Sequence, residues 1–281
     1  RRSAMGSEKT QCCGQSWCVK DPCGIVCAAI TWFLVLYGEV CVLSVMMWDW
    51  REHSLHQTVN FLLFQSFAIL ALMSHLKTML TDPGAVPKGM LTDDVLERLQ
   101  NVTTEVIYKC QKCCSLKPER AHHCSVCERC IRRMDHHCPW VNNCVGEGNQ
   151  KYFVLFTMYI ALLSAHALYW GVWQFVQCVN DDWKTCSPFG PPATTLLLIF
   201  LLFEGVLFAI FTCVMFGTQV SSICSDETAV ESLKSSRGDT GHERRQGWKN
   251  LQLIFGGPFS IRWLNPLVAP YVSRPSFEYS V

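Results

Sequence analysis

The sequence predicts an all-α polytopic membrane protein, with four transmembrane helices and an inserted cysteine-rich domain of loops and small hairpins. Three observations carry that prediction. Only 17% of the 281 residues are charged while 49% are apolar, a balance that leans towards a membrane chain. Four apolar runs are each long enough to cross a hydrocarbon core of roughly 30 Å at about 1.5 Å per residue. Between the second and third runs lies a polar segment that holds eight of the 18 cysteines. The net charge of +1 offers no case for nucleic acid as a partner.

Residues 1–23 form a polar N-terminal segment with Cys12, Cys13 and Cys18, which are juxtamembrane lipidation sites or plain thiols. Residues 24–48 are the first span. This run is too long for a signal-peptide core and lacks a small-x-small cleavage site. Glu39 interrupts it, and Trp48 and Trp50 suit an interface. Residues 59–80 are the second span, ending at His75 and Lys77. Residues 81–150 are the polar domain. Asp82-Pro83-Gly84 stops the preceding helix, and Thr92 to Leu99 has the pattern of a short amphipathic helix. Residues 152–176 and 193–216 are the third and fourth spans, joined by a short loop with Cys178 and Cys186. Residues 217–281 are the tail, where Ser225 or Asp226 is expected to cap a helix through Val230 and Leu233. Inside the spans, Glu39, Glu204 and His166 are expected to make interhelical hydrogen bonds.

Basic residues orient the spans. Lys77 to Lys151 contains 11 Lys and Arg, the tail after Phe216 seven, the N-terminal segment four, and the loops around Arg51 and Lys184 one each. Both termini and the cysteine-rich domain are therefore expected on the cytosolic side. The reducing cytosol also suits metal-like cysteine spacing. Asn101-Val102-Thr103 matches the glycosylation pattern but should stay bare there. Cys178 and Cys186 would face the lumen, either as a disulfide or as two free thiols.

Cys110 to Cys144 reads C-x2-C-x9-H-C-x2-C-x2-C-x4-D-H-H-C-x5-C. Closely spaced Cys and His suit zinc, which takes four of them in a tetrahedron. Eight thiols and four imidazoles (His122, His123, His136, His137) offer twelve ligands, and two closed sites need eight. Cys114 beside Cys113 and His122 beside His123 are poor candidates, because adjacent residues seldom reach one metal. Asp135, His136 and Cys138 together have the parts of an activated thiol nucleophile. Spacing alone equally allows Asp-His-His-Cys to be more metal scaffold, and does not say which histidine binds metal.

Asp135-His136-His137-Cys138 within this frame resembles the DHHC family of protein S-acyltransferases, or palmitoyltransferases. The match runs without a gap through Cys110, Cys113, Lys117-Pro118, His123-Cys124, Cys127, Cys130, Trp140-Val141, Asn143-Cys144-Val145-Gly146, Asn149 and Phe153. It extends upstream to Asp82-Pro83-Gly84. The tail is looser: Ala229 stands for a Thr in Thr228-Ala229-Val230-Glu231, and Leu267 for an aromatic after Asn265-Pro266.

The resemblance implies two structural zinc ions in an interleaved pattern, each held by three Cys and one His. One takes Cys110, Cys113, His123 and Cys130, the other Cys124, Cys127, His137 and Cys144. Such closed sites leave no position for a zinc-bound hydroxide. It implies Cys138 as nucleophile, His136 as the proton acceptor and Asp135 as the group orienting that imidazole. Palmitoyl-CoA is the implied acyl donor, and substrate proteins with membrane-proximal cysteines are the acceptors. Burying fourteen methylenes at about 0.8 kcal/mol each is worth roughly 11 kcal/mol gross, so space between the helices is expected to hold the tail. Trp140, Phe153 and Phe156 are the implied lining, with Leu163 or Ser164 deeper and limiting chain length. Lys109, Lys112, Lys117 and Lys151 are candidates for the CoA phosphates, though the positive-inside bias also accounts for them. Arg132 and Arg133 are candidates for the same phosphates or for favouring a thiolate. Golgi membrane residence follows from resemblance to members with short termini. The ending Tyr279-Ser280-Val281 suits a PDZ domain. The rival reading is a zinc-binding membrane adaptor, which would need the metal ligands but no free Asp-His-Cys set.

Overall fold

The structure, a computed structural model, describes residues 11–12, 16–47, 54–89, 108–235 and 247–269. The predicted helix at Thr92 to Leu99, the Asn101 sequon, Trp48, Trp50 and the Tyr279-Ser280-Val281 ending lie outside the described residues, as do the side chains of Cys12 and Cys13.

A two-residue ribbon of β1 (Gln11–Cys12) and β2 (Ser16–Trp17) precedes α1 (Pro22–Cys41). Asp21 caps α1, accepting from Gly24 N–H at 2.9 Å, and Pro22 fits the first turn, where no N–H is needed. A π-helical turn, Val42–Met46, extends α1. The return helix is α2 (Ser54–Leu80), and α3 (Gln150–Asn180) and α4 (Pro191–Ser225) complete a bundle of four helices long and apolar enough to cross a membrane. Phe33, Leu62, Phe203 and Ile210 are largely exposed, which a chain in water would not tolerate but lipid does. The bundle centres on α3. Its most apolar window is 61% buried against 22% for α4, and it packs along both α2 and α4.

Polar side chains link these helices. His166 pairs with Asn60 Oδ1 at 2.9 Å, Gln65 donates to Glu39, and Tyr37 donates to the Leu197 carbonyl at 2.9 Å. The expected interhelical bonds of Glu39 and His166 are thus present. Glu204 instead lines an interior cavity. At the far loop Cys178 and Cys186 form a disulfide, and Gln174 donates to the Cys186 carbonyl at 2.8 Å.

Among the described residues, the cysteine-rich domain between α2 and α3 holds three small hairpins. They are β3 (Lys109–Cys110) with β4 (Ser115–Leu116), β5 (Ala121–Cys124) with β6 (Arg129–Arg132), and β7 (His136–Cys138) with β8 (Asn143–Val145). All three are antiparallel. The Asp82-Pro83-Gly84 corner is wedged beneath the last two. Gly84 adopts φ +104°, the Gly84 carbonyl accepts from Arg132 N–H at 2.9 Å, and the Pro83 carbonyl from Gly148 N–H at 3.1 Å. A Cβ at Gly146 or Gly148 would collide with this corner's backbone, so both positions need glycine.

In the tail, α5 (Ala229–Ser235) and α6 (Gly247–Phe255) follow α4. The cap of α5 corrects the sequence expectation. Asp226 closes the end of α4 in the left-handed region at φ +54°, and Thr228 begins α5. Thr228 Oγ1 accepts from Glu231 N–H at 3.4 Å and Glu231 Oε2 accepts from Thr228 N–H at 2.9 Å, a reciprocal capping box.

Candidate active site and metal-binding clusters

Strand geometry sorts the twelve candidate ligands. Side chains alternate along a strand, so in β5 His122 and His123 face opposite ways, and in β7 His137 faces away from His136 and Cys138. Hairpin register then places His123 opposite Cys130 and His137 opposite Cys144. The C-x2-C turns bring in the remaining thiols.

Two four-residue groups result, Cys110, Cys113, His123, Cys130 and Cys124, Cys127, His137, Cys144, and the donor atoms of each lie within 4.8 Å of one another. In the first, the thiols of Cys110, Cys113 and Cys130 lie 3.7, 3.3 and 3.9 Å from His123 Nδ1. In the second, those of Cys124, Cys127 and Cys144 lie 3.8, 3.4 and 3.6 Å from His137 Nδ1, with 3.5 Å between the Cys127 and Cys144 sulfurs. Metal bonds of about 2.3 Å to sulfur and about 2.0 Å to nitrogen require tetrahedral edges of about 3.5 to 3.8 Å. Both groups fit that size and can hold a metal ion. Cys114 is exposed and bonded to the Gln111 carbonyl, and His136 and Cys138 belong to neither group.

Asp135, His136 and Cys138 converge at the membrane end of the second group. His136 Nδ1 lies 2.7 Å from Asp135 Oδ2. Asp135 is only 1% exposed and accepts from Gln219 Nε2 and from Ala229 N–H, each at 2.8 Å. Burial alone would raise this carboxyl, but the bonds from His136, Ala229 and Gln219 outweigh it and hold Asp135 below its ordinary pKa. Burial pulls the His136 imidazole down, and its Asp135 and Cys138 neighbours more than offset this, raising it to about 9. The Phe153 ring meets the imidazole edge-on at 5.2 Å. Among the described residues His136 Nε2 is buried without a well-formed hydrogen bond, while the Cys138 thiol lies close enough to help raise the imidazole. Such contacts tighten when substrate binds.

Asparagines fix this unit to α2. Asn143 Nδ2 reaches the carbonyls of Thr78, Met79 and Thr81 at 3.0, 3.2 and 2.9 Å, and Asn149 Nδ2 reaches Thr78 and Cys144 at 3.1 and 2.8 Å. The Thr78, Met79 and Thr81 carbonyls are those the end of α2 leaves to be paired by other groups. Trp17 donates to Asn143 Oδ1 at 2.9 Å. His75 lies between Trp32 Nε1, 3.1 Å from its Nδ1, and the Trp140 carbonyl, 2.8 Å from its Nε2, which holds the turn after Cys138.

Cys138 opens into a cavity of about 370 Å³ between the helices. Trp140, Phe153, Phe156 and Leu163 all line it, and so does Ser164. Much of the remaining wall, not anticipated from sequence, comes from Thr31, Val35 and Gly38 of α1, Phe64 of α2, and Phe208 and Met215 of α4, with Glu204 also present. A largely apolar cavity of this size with a thiol at its mouth suits an elongated apolar ligand bearing a reactive polar end.

Several basic residues have duties other than those expected. Lys151 is fully buried, its ammonium on the Arg262 and Val268 carbonyls at 3.1 and 3.0 Å, so it cannot meet a phosphate. Arg132 pairs with Glu147 at 2.9 Å and Arg133 with Asp226, so neither presents an uncompensated charge to the thiol. Arg120 grips both Asp226 and Glu231, at 3.1 and 2.7 Å, and fastens the tail to the cysteine-rich domain. At position 229 it is the backbone N–H that holds Asp135, so alanine there preserves the contact.

Residues 103–236 match the family described as DHHC palmitoyltransferase. Palmitoyltransferase ZDHHC3-A of Danio rerio is 57% identical over 272 residues, covering 94% of this chain and 85% of that protein. Palmitoyltransferase ZDHHC3 of Homo sapiens is 57% identical over 257 residues, covering 92% and 85%. Palmitoyltransferase ZDHHC7 of Mus musculus is 55% identical over 266 residues, covering 95% and 85%.

Proposed function

As a member of the DHHC palmitoyltransferase family, to which this chain belongs, it is a protein S-acyltransferase, and we propose that Cys138 is its nucleophile. The observation that carries this is the placement of one thiol, outside both metal-ligand groups, between the His136–Asp135 pair and the mouth of an apolar cavity.

The Cys138 thiol gives its proton to His136 Nε2, and Asp135 holds the imidazole by Nδ1 and stabilises its cationic form. The sulfur attacks the thioester carbonyl of a palmitoyl-CoA, a bond forms from Cys138 to the acyl carbon, and CoA leaves, taking the proton from His136. A cysteine of a substrate protein, near the membrane, then attacks the acyl-enzyme and restores the thiol. One thioester replaces another at each step, so no energy source is needed. The fatty tail lies in the cavity, with Trp140, Phe153 and Phe156 near the carbonyl and Leu163 deeper.

Zinc is the metal we assign to both groups, because three thiolates and one imidazole at tetrahedral edge lengths suit it. Zinc there supplies folding free energy and holds the strand that carries Cys138. The excess of Lys and Arg in residues 77–151 and the tail supports cytosolic termini and a cytosolic active site, and the ZDHHC3 and ZDHHC7 relatives support a multi-pass Golgi membrane protein.

The test is incubation of purified protein with labelled palmitoyl-CoA. Hydroxylamine-labile label should appear on Cys138 and vanish in Cys138→Ser, with both zinc ions retained. Wild-type labelling of that variant would place the nucleophile elsewhere.

A further inference from the structure

Two more thiols lie at the edge of the reaction centre, on the first turns of α1. Cys23, Cys27 and Thr31 are spaced four apart and share one helix face. Thr31 lines the cavity together with Cys138, and its hydroxyl donates to the Cys27 carbonyl at 3.0 Å. These turns pack against the Pro139–Val141 turn that directly follows Cys138. The approach is close. Asn142 leaves no room for a side chain at Gly24, and Asn142 Nδ2 donates to the Val19 carbonyl at 2.9 Å. Cys23 is exposed and Cys27 half-buried, and neither is in a disulfide.

We propose that the Cys23/Cys27 pair is an acyl acceptor site in cis, taking the fatty acyl group from Cys138 of the same chain. This rests on the reading that Cys138 is the acylated nucleophile. A thiolate of the pair attacks the thioester carbonyl on Cys138, a new sulfur–acyl bond forms and the Cys138 sulfur–acyl bond breaks. The proton released by the attacking thiol ends on the departing Cys138 sulfur. No oxidant or further reagent enters. The receiving thiols sit where a fatty chain is stable, beside Ile25 and Val26, which are more than half exposed on an apolar helix. Cys138 is then free to be reloaded from a second acyl-CoA.

The experiment uses the full-length purified chain, an alkyne-bearing palmitoyl-CoA, and site mapping by mass spectrometry. Label should appear first on Cys138 and then on Cys23 or Cys27, approaching about two acyl groups per chain. The Cys23→Ser/Cys27→Ser double variant should stop at about one and still pass its acyl group to a peptide thiol. Cys138→Ala should leave the pair unlabelled, alone or mixed with wild-type enzyme. A labelled Cys138 beside a bare pair overturns the proposal, as does labelling of the pair in Cys138→Ala under either condition. An unlabelled Cys138 in the wild-type chain would instead remove the reading beneath it.

Discussion

The two metal-ligand groups have the same donors, three thiols and one Nδ1, yet serve different parts of the molecule. The first joins the β3–β4 hairpin to β5–β6 and packs with Val86 and Ala121. The second joins β5–β6 to β7–β8, and its ligands His137 and Cys144 bracket Cys138 on both sides in sequence. The second is tied to α2 through the adjoining Asn143 and Asn149. The lesson is that ligand chemistry alone does not set a site's duty. Its position relative to the bundle does: one group joins the two outer hairpins, and the other joins the hairpin whose Cys138 lines a cavity.

The widest separation should come from losing one ligand in each group. Cys127→Ser should lose about one of two zinc ions and lower acyl-enzyme formation by roughly 100-fold, since small misplacements of a reacting group cost that much. Cys113→Ser should lose the same zinc equivalent but only about tenfold in acylation. Zinc assay with single-turnover labelling checks both, and equal losses would erase the distinction.

Next in size is the support for Asp135. Gln219→Leu removes one donor to a buried carboxylate and should slow acyl-enzyme formation about tenfold, at unchanged zinc content. An unaltered rate would mean that Ala229 and His136 suffice.

A smaller effect concerns the tail clamp. Burial would raise Asp226 and Glu231, but Arg120, with Arg133 at Asp226, outweighs it and holds both carboxyls below their ordinary pKa. Groups depressed in the folded state add stability above the unfolded value of about 4, which is lost as pH falls below it. Protease cutting of the tail should therefore rise below about pH 4 in the wild type. In Arg120→Leu it should already be high at neutral pH, and wild-type resistance there would show the clamp to be idle. The mildest change is Leu163→Gly, which should shift the preferred acyl-CoA towards longer chains by a few-fold. An unchanged length profile would detach Leu163 from that role.

The apolar runs and the cysteine spacing were legible because they are local signals. So was the neighbourhood of Asp135, His136 and Cys138, three positions apart at most. Which histidine turns to a metal was not legible from spacing, and follows from strand alternation once β5 and β7 exist. Gln219, the Ala229 N–H, Asn143 and His75 were missed because their partners lie far along the chain. The one signal that existed for Gln219 and His75 was a polar residue near the end of an apolar helix. The partners of Arg132, Arg133 and Lys151, namely Glu147, Asp226 and the carbonyls of the tail, were not legible for the same reason. The cap of α5 was misplaced because Asp226 looked like a helix start and proved to be a helix end.

The central claim is that the Cys138 sulfur stays off the metal while its neighbours hold one. Zinc-edge X-ray absorption on the wild type and on Cys138→Ala tests this directly. Two zinc ions per chain, each with three sulfurs and one nitrogen in both proteins, is the expected result. A drop in sulfur coordination in the variant would put Cys138 in a zinc's inner sphere and contradict the account.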